Sequence, residues 1–351
     1  MKPSITASTI LLVGILASMQ ACSENNGEKK ASASPCSNVA RPANAKAPED
    51  ATSCVDDLPK TCGSDASESC CTTTDIGGAC FSRSFDNITF VDSRFDAHIK
   101  AFQLDKYEVS VSRFRRFVEQ YDQIQLEAGR GKSAYINKKD EKDEKPLDEP
   151  YQGWNEDWPL PKDANELRTS LACDDDPDAT WSDEPDSDER ERLPINCVNW
   201  YLASAFCTWD GGRLPTDAEW NLAASGGEEY RLYPWSDPAN NADISEEHAT
   251  YGGAPLTPVG ATVKGGGRWG NADLAGNVAE WTLDYYANPY VQDPCVNCAQ
   301  TKHFHFSWRT VRGGNNYSDE QGVTAANRTG ADPEFGDYAL GFRCAREWVT
   351  E

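Results

Sequence analysis

The cysteine content of this 351-residue chain limits what it can fold into more than any other feature. The chain has thirteen cysteines, and an even number remains when Cys22, at the end of an export-type N-terminus, is set aside. Paired cysteines in an exported chain indicate disulfide bonds rather than zinc ligation or thiol catalysis. We therefore expect a disulfide-stabilised fold.

Residues 1–22 have the pattern of a bacterial signal peptide. A basic start at Lys2 precedes an apolar run from Ile10 to Ala17 that is too short for a permanent membrane span. Cys22 is predicted to be lipidated, with cleavage at a plain small-residue site as the alternative. Residues 23–53 are polar and rich in Ala, Ser and Pro, which predicts a disordered tether. The expected location is the bacterial cell envelope, outer membrane or periplasm, with the lipid as the only membrane contact.

Cysteines crowd the segment that follows. The segment 54–83 is predicted to form a small cross-linked cap, in which the adjacent Cys70 and Cys71 do not easily bond each other. The connectivity stays open among six cysteines of this region, which are Cys36, Cys54, Cys62, Cys70, Cys71 and Cys80.

The charge of the chain is strongly negative and concentrated in one segment. A formal net charge of −24 argues against a nucleic-acid partner, because phosphate binding requires clustered Lys and Arg. Between Asp140 and Glu191 the chain has 20 acidic and 5 basic residues. The carboxylates are irregularly spaced, so 138–192 is predicted to be a solvated acidic insertion, with weak calcium binding as the alternative.

Three segments have the pattern of short helices. In "EVSVSRFRRFVEQY" the apolar residues recur at helical spacing after Ser110 or Ser112 as N-cap, and "NCVNWYLASAFCTWDGG" has Asn199 as cap. In "RLPTDAEWNLAASGG", Thr216 and Glu219 form a capping box and the Gly-Gly pair ends the helix. With the alternating segments "FQLDKYEV", "TVRGG" and "LGFRCAREW", the predicted class is α+β with much irregular structure.

Several segments together resemble the sulfatase-modifying-factor domain of the formylglycine-generating enzyme family. They are "FQLDKYEVSVSRFRRFV", "LPINCVNWYLASAFCTWDGGRLPTDAEWNLAASGG", "YPWSD", "LAGNVAEWTLD", "VRGG" and "LGFRCAR". The resemblance runs from about Phe102 to Arg346 and places the domain at 84–351. It implies a C-type-lectin-like fold with bound calcium. Members include copper-dependent oxidases that produce formylglycine, non-haem iron enzymes, and proteins without known chemistry.

The resemblance also implies a disulfide between Cys207 and Cys344, which correspond to paired cysteines of the family. Two further pairs are expected, Cys173 with Cys197 and Cys295 with Cys298. The alternative that Cys295 and Cys298 form a redox site is weaker, because no thioredoxin-like strand and helix surround them.

A calcium site is implied by the segment "ADLAGNVAEW". Its ligands would be the side chains of Asp273 and Glu280 and the backbone carbonyls of Gly276 and Val278, hard oxygen donors that suit calcium. The alternative is a buried Glu280 whose oxygens are satisfied by backbone amides.

The loop that begins at "VRGG" departs from the oxidase pattern. The positions of the family's serine and two copper-binding cysteines are occupied by Asn315, Ser318 and Val323, and Ala279 replaces a tryptophan. Copper(I) is a soft ion that requires thiolate, which neither Ser nor Val supplies. Copper is therefore not expected as a cofactor.

A non-haem iron site is a weaker alternative to a chain without a catalytic metal. His303 and His305 are spaced to share one face of a strand, and Asp319 could complete a site with them. The family's iron enzymes take His ligands from an N-terminal helical domain, whereas here no His precedes His98, so iron is not expected either.

The functional prediction is a non-catalytic binding or accessory module for a peptide or glycan. Its ligand groove would be lined by Arg312, Asn315, Asn316, Tyr317 and Ser318. The alternatives are a formylglycine-generating-type oxidase or non-haem iron oxygenase with an atypical metal site, and a structural role in envelope assembly.

Overall fold

A computed structural model describes residues 51–54, 61–138, 149–185, 187–291, 295–303 and 306–348. The predicted signal peptide with Cys22, the tether up to residue 50, Cys36 and His305 lie outside the described residues. All described residues belong to one unit that spans residues 35–351. Nowhere in these ranges is a helix both long and apolar enough to span a bilayer.

The helices are short, and the predicted start signals of three of them are present. Ser110 accepts a hydrogen bond from the Arg113 amide and Asn199 accepts one from the Leu202 amide. Thr216 and Glu219 form the reciprocal capping box, and Gly226 ends that helix in the left-handed region at φ 71°. The helices are α1 (Val111–Gln120), α2 (Ala164–Ser170), α3 (Asp188–Glu191), α4 (Trp200–Trp209) and α5 (Asp217–Ser225), with single 3-10 turns at Thr52–Cys54, Tyr121–Gln123, Cys173–Asp175 and Gly227–Glu229.

The strands are also short and pair into small sheets. The largest sheet among the described residues has four strands in the order β10, β9, β7, β11; two have three strands, in the orders β12, β6, β3 and β4, β5, β8; and β1 pairs with β2. Their bounds are β1 (Thr61–Cys62), β2 (Glu68–Ser69), β3 (Thr73–Ile76), β4 (Ala79–Ser82), β5 (Asp96–Ile99), β6 (Phe102–Asp105), β7 (Ala279–Tyr285), β8 (Cys295–Val296), β9 (Arg309–Arg312), β10 (Arg328–Ala331), β11 (Leu340–Gly341) and β12 (Ala345–Arg346). The structure confirms an α+β class with much irregular backbone.

The largest hydrophobic cluster lies where α1 and α4 pack on β7 and β9. The apolar face of α1 buries Phe114 and Phe117, and the Phe114 ring stacks on Phe206 of α4 at 5.4 Å. Burying one large apolar side chain stabilises the fold by about 1.5–3 kcal/mol. The amphipathic pattern of α1 in the sequence is therefore explained by this contact.

The segment 54–83 is not a separate cap over its whole length. Disulfides join Cys54 to Cys71 and Cys62 to Cys70, so the adjacent cysteines bond to different partners. Beyond them, however, β3 pairs with β6 and β4 pairs with β5. The second half of this segment therefore belongs to the sheets of the domain, because its backbone groups find partners there.

The acidic insertion is not merely a solvated segment. Its described part contributes Trp154, Leu167 and Trp181 to the main hydrophobic cluster, all of them buried. Arg115 of α1 forms a buried ion pair with Glu191 at 2.6 Å. Carboxylates dominate the composition of the insertion, but its few apolar side chains attach it to the core.

The central sheet determines where the predicted site lies. The segment 273–278 leads into β7, and the loop 313–327 connects β9 to its partner β10. Because β7 and β9 are neighbours, the two segments meet, and the Gly276 amide donates to the Gly313 carbonyl at 2.9 Å. The backbone at Gly313 has φ 88°, which favours glycine.

The remaining disulfides join Cys207 to Cys344, Cys173 to Cys197 and Cys295 to Cys298. Cys207 lies on α4 and Cys344 lies just before β12, 137 residues further along the chain. Cys295 and Cys298 are only three residues apart. Their effects on the unfolded chain should therefore differ.

Replacing Cys207 and Cys344 together by Ala should lower the free energy of unfolding by about 5 kcal/mol, because a long loop is released in the unfolded state. The matched change of Cys295 and Cys298 should cost roughly 2 kcal/mol, because only a very short loop opens. Guanidinium unfolding under non-reducing conditions measures both values. Equal losses would contradict the chain-entropy argument.

Candidate functional site

The loop 313–327 is positioned by backbone hydrogen bonds to two neighbouring segments. The Asn316 amide donates to the Asn277 carbonyl at 2.9 Å, and the Asn316 carbonyl accepts from the Gly253 amide at 2.7 Å. The Ser318 carbonyl accepts from the Gly252 amide at 2.8 Å. These backbone contacts fix part of the path of the loop whatever side chains residues 316 and 318 carry.

None of the predicted residues Asn315, Asn316, Tyr317 and Ser318 is in the lining of the groove described below. Arg312 does not line it either, contrary to the prediction. Its side chain is 1% exposed and forms an ion pair with Asp217 of α5. It also donates to the Asn327 carbonyl at 3.0 Å and to the Tyr290 hydroxyl at 2.8 Å. A buried guanidinium requires such partners, and these partners hold the far end of the loop against α5.

Ser318 and Val323, which the sequence resemblance aligns with copper ligands, have other contacts in this structure. The Ser318 hydroxyl accepts a hydrogen bond from the Asn315 amide at 3.0 Å. The Asn315 side-chain oxygen accepts from the Tyr317 amide at 2.9 Å, which closes a tight turn. Val323 is fully buried in a small apolar cluster with Leu232 and Tyr233. Neither position presents a soft ligand.

Asn316 and Tyr317 have opposite exposures. Asn316 is 2% exposed, donates to the Ala254 carbonyl at 2.8 Å, and has a side-chain oxygen without a described hydrogen-bond partner. Tyr317 is 52% exposed, and its hydroxyl donates to Asp178 at 2.5 Å. Asp178 belongs to the acidic insertion, so the insertion contacts this loop. The hydrogen bond to Asp178 raises the pKa of Tyr317.

An open groove lies beside this loop. Its volume is about 650 Å³. The loop contributes Asp319, Glu320, Gln321 and Thr324, and the opposite side carries aromatic and small residues. The full lining is Ile88, Thr89, Leu232, Tyr233, Tyr251, Gly252, Asp319, Glu320, Gln321 and Thr324.

Glu280 of the predicted calcium site is fully buried and bonded to side chains. Its two carboxylate oxygens accept from Arg343 at 2.7 and 2.8 Å, and one of them also accepts from the Trp220 indole at 2.9 Å. The alternative prediction was a buried Glu280 bonded to backbone amides. Glu280 is buried, but its oxygens accept hydrogen bonds from side chains instead.

Asp273 and Glu108 add two buried carboxylates to the same region. Asp273 accepts from the Gly260 amide at 2.5 Å, and Glu108 accepts from the Asn277 side chain at 2.6 Å and the Val278 amide at 3.1 Å. Burial, opposed in part by that amide bond, raises the pKa of Asp273 to about 6. Burial raises the pKa of Glu108, and the charges of Asp273 and Glu280 raise it further.

The donor set and charge of this region fit calcium in part. Glu108, Asp273 and Glu280 supply oxygen donors and three potential negative charges, which a divalent cation could balance together with Arg343. The described side chains do not form a group of three His, Cys, Asp or Glu placed to hold a metal ion. Calcium at Glu280 would have to compete with Arg343.

The histidine prediction concerns a different part of the molecule. His303 is exposed, with its ring 5.5 Å from that of Tyr285. Asp319 accepts a hydrogen bond from the Gly322 amide at 2.8 Å. His305, the other proposed ligand, lies outside the described residues.

Two functional candidates were missed from sequence. Glu108 had a recognisable signal, since it is a carboxylate between the apolar residues Tyr107 and Val109. Arg343, in the "GFRC" segment, had no recognisable signal in the sequence. Its buried partner Glu280 lies 63 residues away, and no nearby residue indicates that this arginine is buried.

Comparisons with known proteins agree with this geometry. The family model described as the sulfatase-modifying factor enzyme 1-like domain matches residues 72–348. The chain is 34% identical over 165 residues to the inactive C-alpha-formylglycine-generating enzyme 2 of Mus musculus, an alignment of 45% of this chain and 50% of that protein. It is 28% identical over 264 residues to the formylglycine-generating enzyme of Bos taurus, covering 71% of this chain and 66% of the enzyme.

A solved structure supports the fold. The structure of PvdO from Pseudomonas aeruginosa superposes with a TM-score of 0.51 at 19% sequence identity, over 79% of this chain and 93% of that one. At this identity the likeness concerns the fold alone. The predicted C-type-lectin-like, disulfide-stabilised α+β fold is confirmed.

Replacing Asp178 by Asn should lower the pKa of Tyr317, because the phenol loses a hydrogen bond to a carboxylate and the phenolate no longer faces a negative charge. Carbon-13 NMR of labelled tyrosine during an alkaline titration measures the shift. Asp176→Asn is the matched control, since Asp176 is not bonded to the hydroxyl, and should have a smaller effect. Equal shifts in both variants would refute a direct contact.

Proposed function

Because the chain belongs to the sulfatase-modifying factor enzyme 1-like domain family, we propose that it is a non-catalytic binding or accessory module for a peptide or glycan. The observation that carries the proposal is the chemistry of Ser318 and Val323 at the two copper-ligand positions. The chain spans only half of the mouse relative and 66% of the bovine one. The activities of those whole proteins therefore do not transfer to it directly.

The loop keeps a stable path without ligands for copper(I). A serine hydroxyl engaged with the Asn315 amide is a hard, neutral oxygen, and the isopropyl group of buried Val323 has no lone pair. Copper(I) prefers thiolate and thioether ligands. An oxidase mechanism that requires two thiolate ligands for copper(I) therefore has no sulfur ligand at either position.

The groove beside the loop supplies the binding surface in this proposal. Its volume lies within the usual range of ligand sites, about 300–1,000 Å³. Tyr251 is half-buried and offers an aromatic ring, the edge of the Tyr233 ring lies at the surface of the groove, and Asp319, Glu320 and Gln321 offer hydrogen-bonding groups. Aromatic rings beside carboxylates and amides suit sugar rings or the backbone and side chains of a peptide.

The proposal is tested on the purified mature protein in two arms. In the first, wild type supplied with copper(I), oxygen and a cysteine-containing peptide should consume no oxygen above the protein-free background of copper-catalysed thiol oxidation, and should yield no formylglycine. The variant Ser318→Cys with Val323→Cys serves as a positive control for copper(I) uptake in a chelator competition. Turnover by wild type would overturn the proposal.

In the second arm, wild type is applied to arrays of short peptides and oligosaccharides. Gln321→Trp should abolish the binding that wild type shows, because the indole fills the groove. Gln152→Trp places the same side chain at an exposed glutamine outside the groove and should leave binding unchanged. Equal binding by wild type and Gln321→Trp would contradict use of this groove.

We further propose that calcium stabilises the segment 273–280. Chelation with EGTA should lower the melting temperature, and added calcium, but not magnesium, should restore it. A ligand that binds only the folded state stabilises it by about 2.7 kcal/mol when its free concentration is a hundred times its Kd. Asp273→Asn should abolish the response, whereas Asp243→Asn, at an exposed position, should retain it. A melting temperature that changes neither on adding EGTA nor on adding calcium would exclude the site.

The location proposed for this module is the bacterial cell envelope, with a lipid on Cys22 as its anchor. In a bacterial host the wild-type chain should sediment with membranes, and Cys22→Ser should release it to the soluble fraction, because the acyl chains supply the membrane affinity. Fractionation with immunoblotting gives the result. Membrane retention of Cys22→Ser would refute the lipid anchor.

A further inference from the structure

A second cavity is lined in part by Phe90 and Val91, which directly follow Ile88 and Thr89 of the groove. Its volume is about 320 Å³, and it shares no lining residue with the groove. It is formed by the segment 83–95, the segment 286–290 and the start of β10. Its lining is Arg83, Ser84, Phe90, Val91, Asp92, Phe95, Tyr286, Asn288, Pro289, Tyr290, Ala326 and Arg328. We name it the arginine–tyrosine pocket.

Two guanidinium groups approach one tyrosine ring in this pocket. Arg328 lies 3.8 Å and Arg83 lies 4.1 Å from the centre of the Tyr290 ring. The Tyr290 hydroxyl is fixed by Arg312 at 2.8 Å and by Ser84 at 2.9 Å. Arg328 also donates to the Ala287 carbonyl at 2.5 Å and Arg83 to the Phe95 carbonyl at 3.4 Å. Ring contacts and these hydrogen bonds therefore hold both cations in place before any ligand arrives, which reduces the entropy lost on binding.

Positive charge is concentrated around the pocket in a chain whose formal net charge is −24. Among the described residues that line or underlie it, Arg83, Arg312 and Arg328 face the buried carboxylates Asp217 and Asp284. The other charged group of the lining, Asp92, is paired with Arg94 at 2.7 Å.

Asp284, one of those two carboxylates, has a raised pKa. Burial, and then the negative charge of Asp217, raise the pKa of Asp284 to about 7. The direction of this shift means that the buried site disfavours the charged form of Asp284.

The rest of the lining is mostly apolar, with Ser84 and Asn288 as polar members. Phe90, Phe95, Val91 and Pro289 form the walls and the rim, and Val91 is 67% exposed at the surface. An apolar cavity of this size with a few fixed charged groups is the usual form of a small-ligand site. Arginine recognises carboxylates through paired, charge-assisted hydrogen bonds.

We propose that the arginine–tyrosine pocket binds a carboxylate carried on an aromatic or aliphatic group. Two sources share this chemistry, a free aromatic acid and the C-terminal residue of a peptide. The pocket is separate from the groove, so the proposal goes beyond the function proposed above and does not depend on it.

The test uses calorimetric titration of the purified mature protein with phenylacetate and with phenylacetamide, its neutral analogue. Phenylacetate should bind at least about tenfold more tightly, because only the acid forms charge-assisted hydrogen bonds with arginine. In a parallel arm, a Gly-Gly-Phe peptide with a free C-terminus is compared with its C-terminal amide. Binding of the free acid in either arm supports the proposal and identifies the source.

Two variants locate the binding. Val91→Glu places a negative charge at the exposed rim and should weaken acid binding at least about tenfold through repulsion. Val263→Glu, at a position that is 65% exposed and outside the pocket, is the matched control and should bind like wild type. Arg328→Gln should also lose acid binding, and its thermal unfolding curve, recorded without ligand, establishes whether the variant is folded.

Three results would overturn the proposal. They are equal affinity for acid and amide in both arms, acid binding that Val91→Glu leaves unchanged, and binding of inorganic phosphate without binding of either acid. None of these results bears on the groove variants Gln321→Trp and Gln152→Trp, so the two proposals fail separately.

Discussion

The buried ion pair of Arg343 and Glu280 is the interaction on which the arrangement of the loops depends. Arg343 donates to both oxygens of Glu280 and to the carbonyls of Lys106 and Ala272 at 2.9 Å. Removing one partner would leave a buried charge uncompensated, which typically costs about 3–5 kcal/mol. The pair therefore fixes β7, the segment 273–278 and the C-terminal strands in one geometry, although regular secondary structure is scarce. The adjacent Cys344, bonded to Cys207, extends the same constraint to α4.

A fold held in this way can keep its shape while its chemistry changes. The loop 313–327 is positioned by backbone hydrogen bonds to Gly276, Asn277 and Gly252, and by buried Arg312 at its end. None of these contacts involves the side chains of Ser318 or Val323. Substitution at those two positions therefore alters which ligands the loop can offer without removing what holds it.

Sequence reasoning was correct where the signal is local and incomplete where the partner is distant. Ser110, Asn199 and Thr216 are visible as caps because each satisfies backbone amides within one turn. Arg312 was misplaced because nothing near it in sequence indicates that Asp217, about a hundred residues earlier, would draw it inside. The acidic insertion was judged by its carboxylates, whereas Trp154 and Trp181 decide how its described part packs.

The sequence by itself determined the family, the α+β class and the starts of α1, α4 and α5, and it shows that Ser318 and Val323 carry no thiol. These follow from residue identity and from interactions within a few residues. Only the tertiary structure decided that Glu280 faces Arg343, that Asp178 contacts Tyr317, and that Arg83 and Arg328 meet at one tyrosine ring. These contacts join residues that are distant in the sequence, 63 positions apart for Glu280 and Arg343 and 139 for Asp178 and Tyr317. Their existence depends on how the whole chain closes around its buried charges.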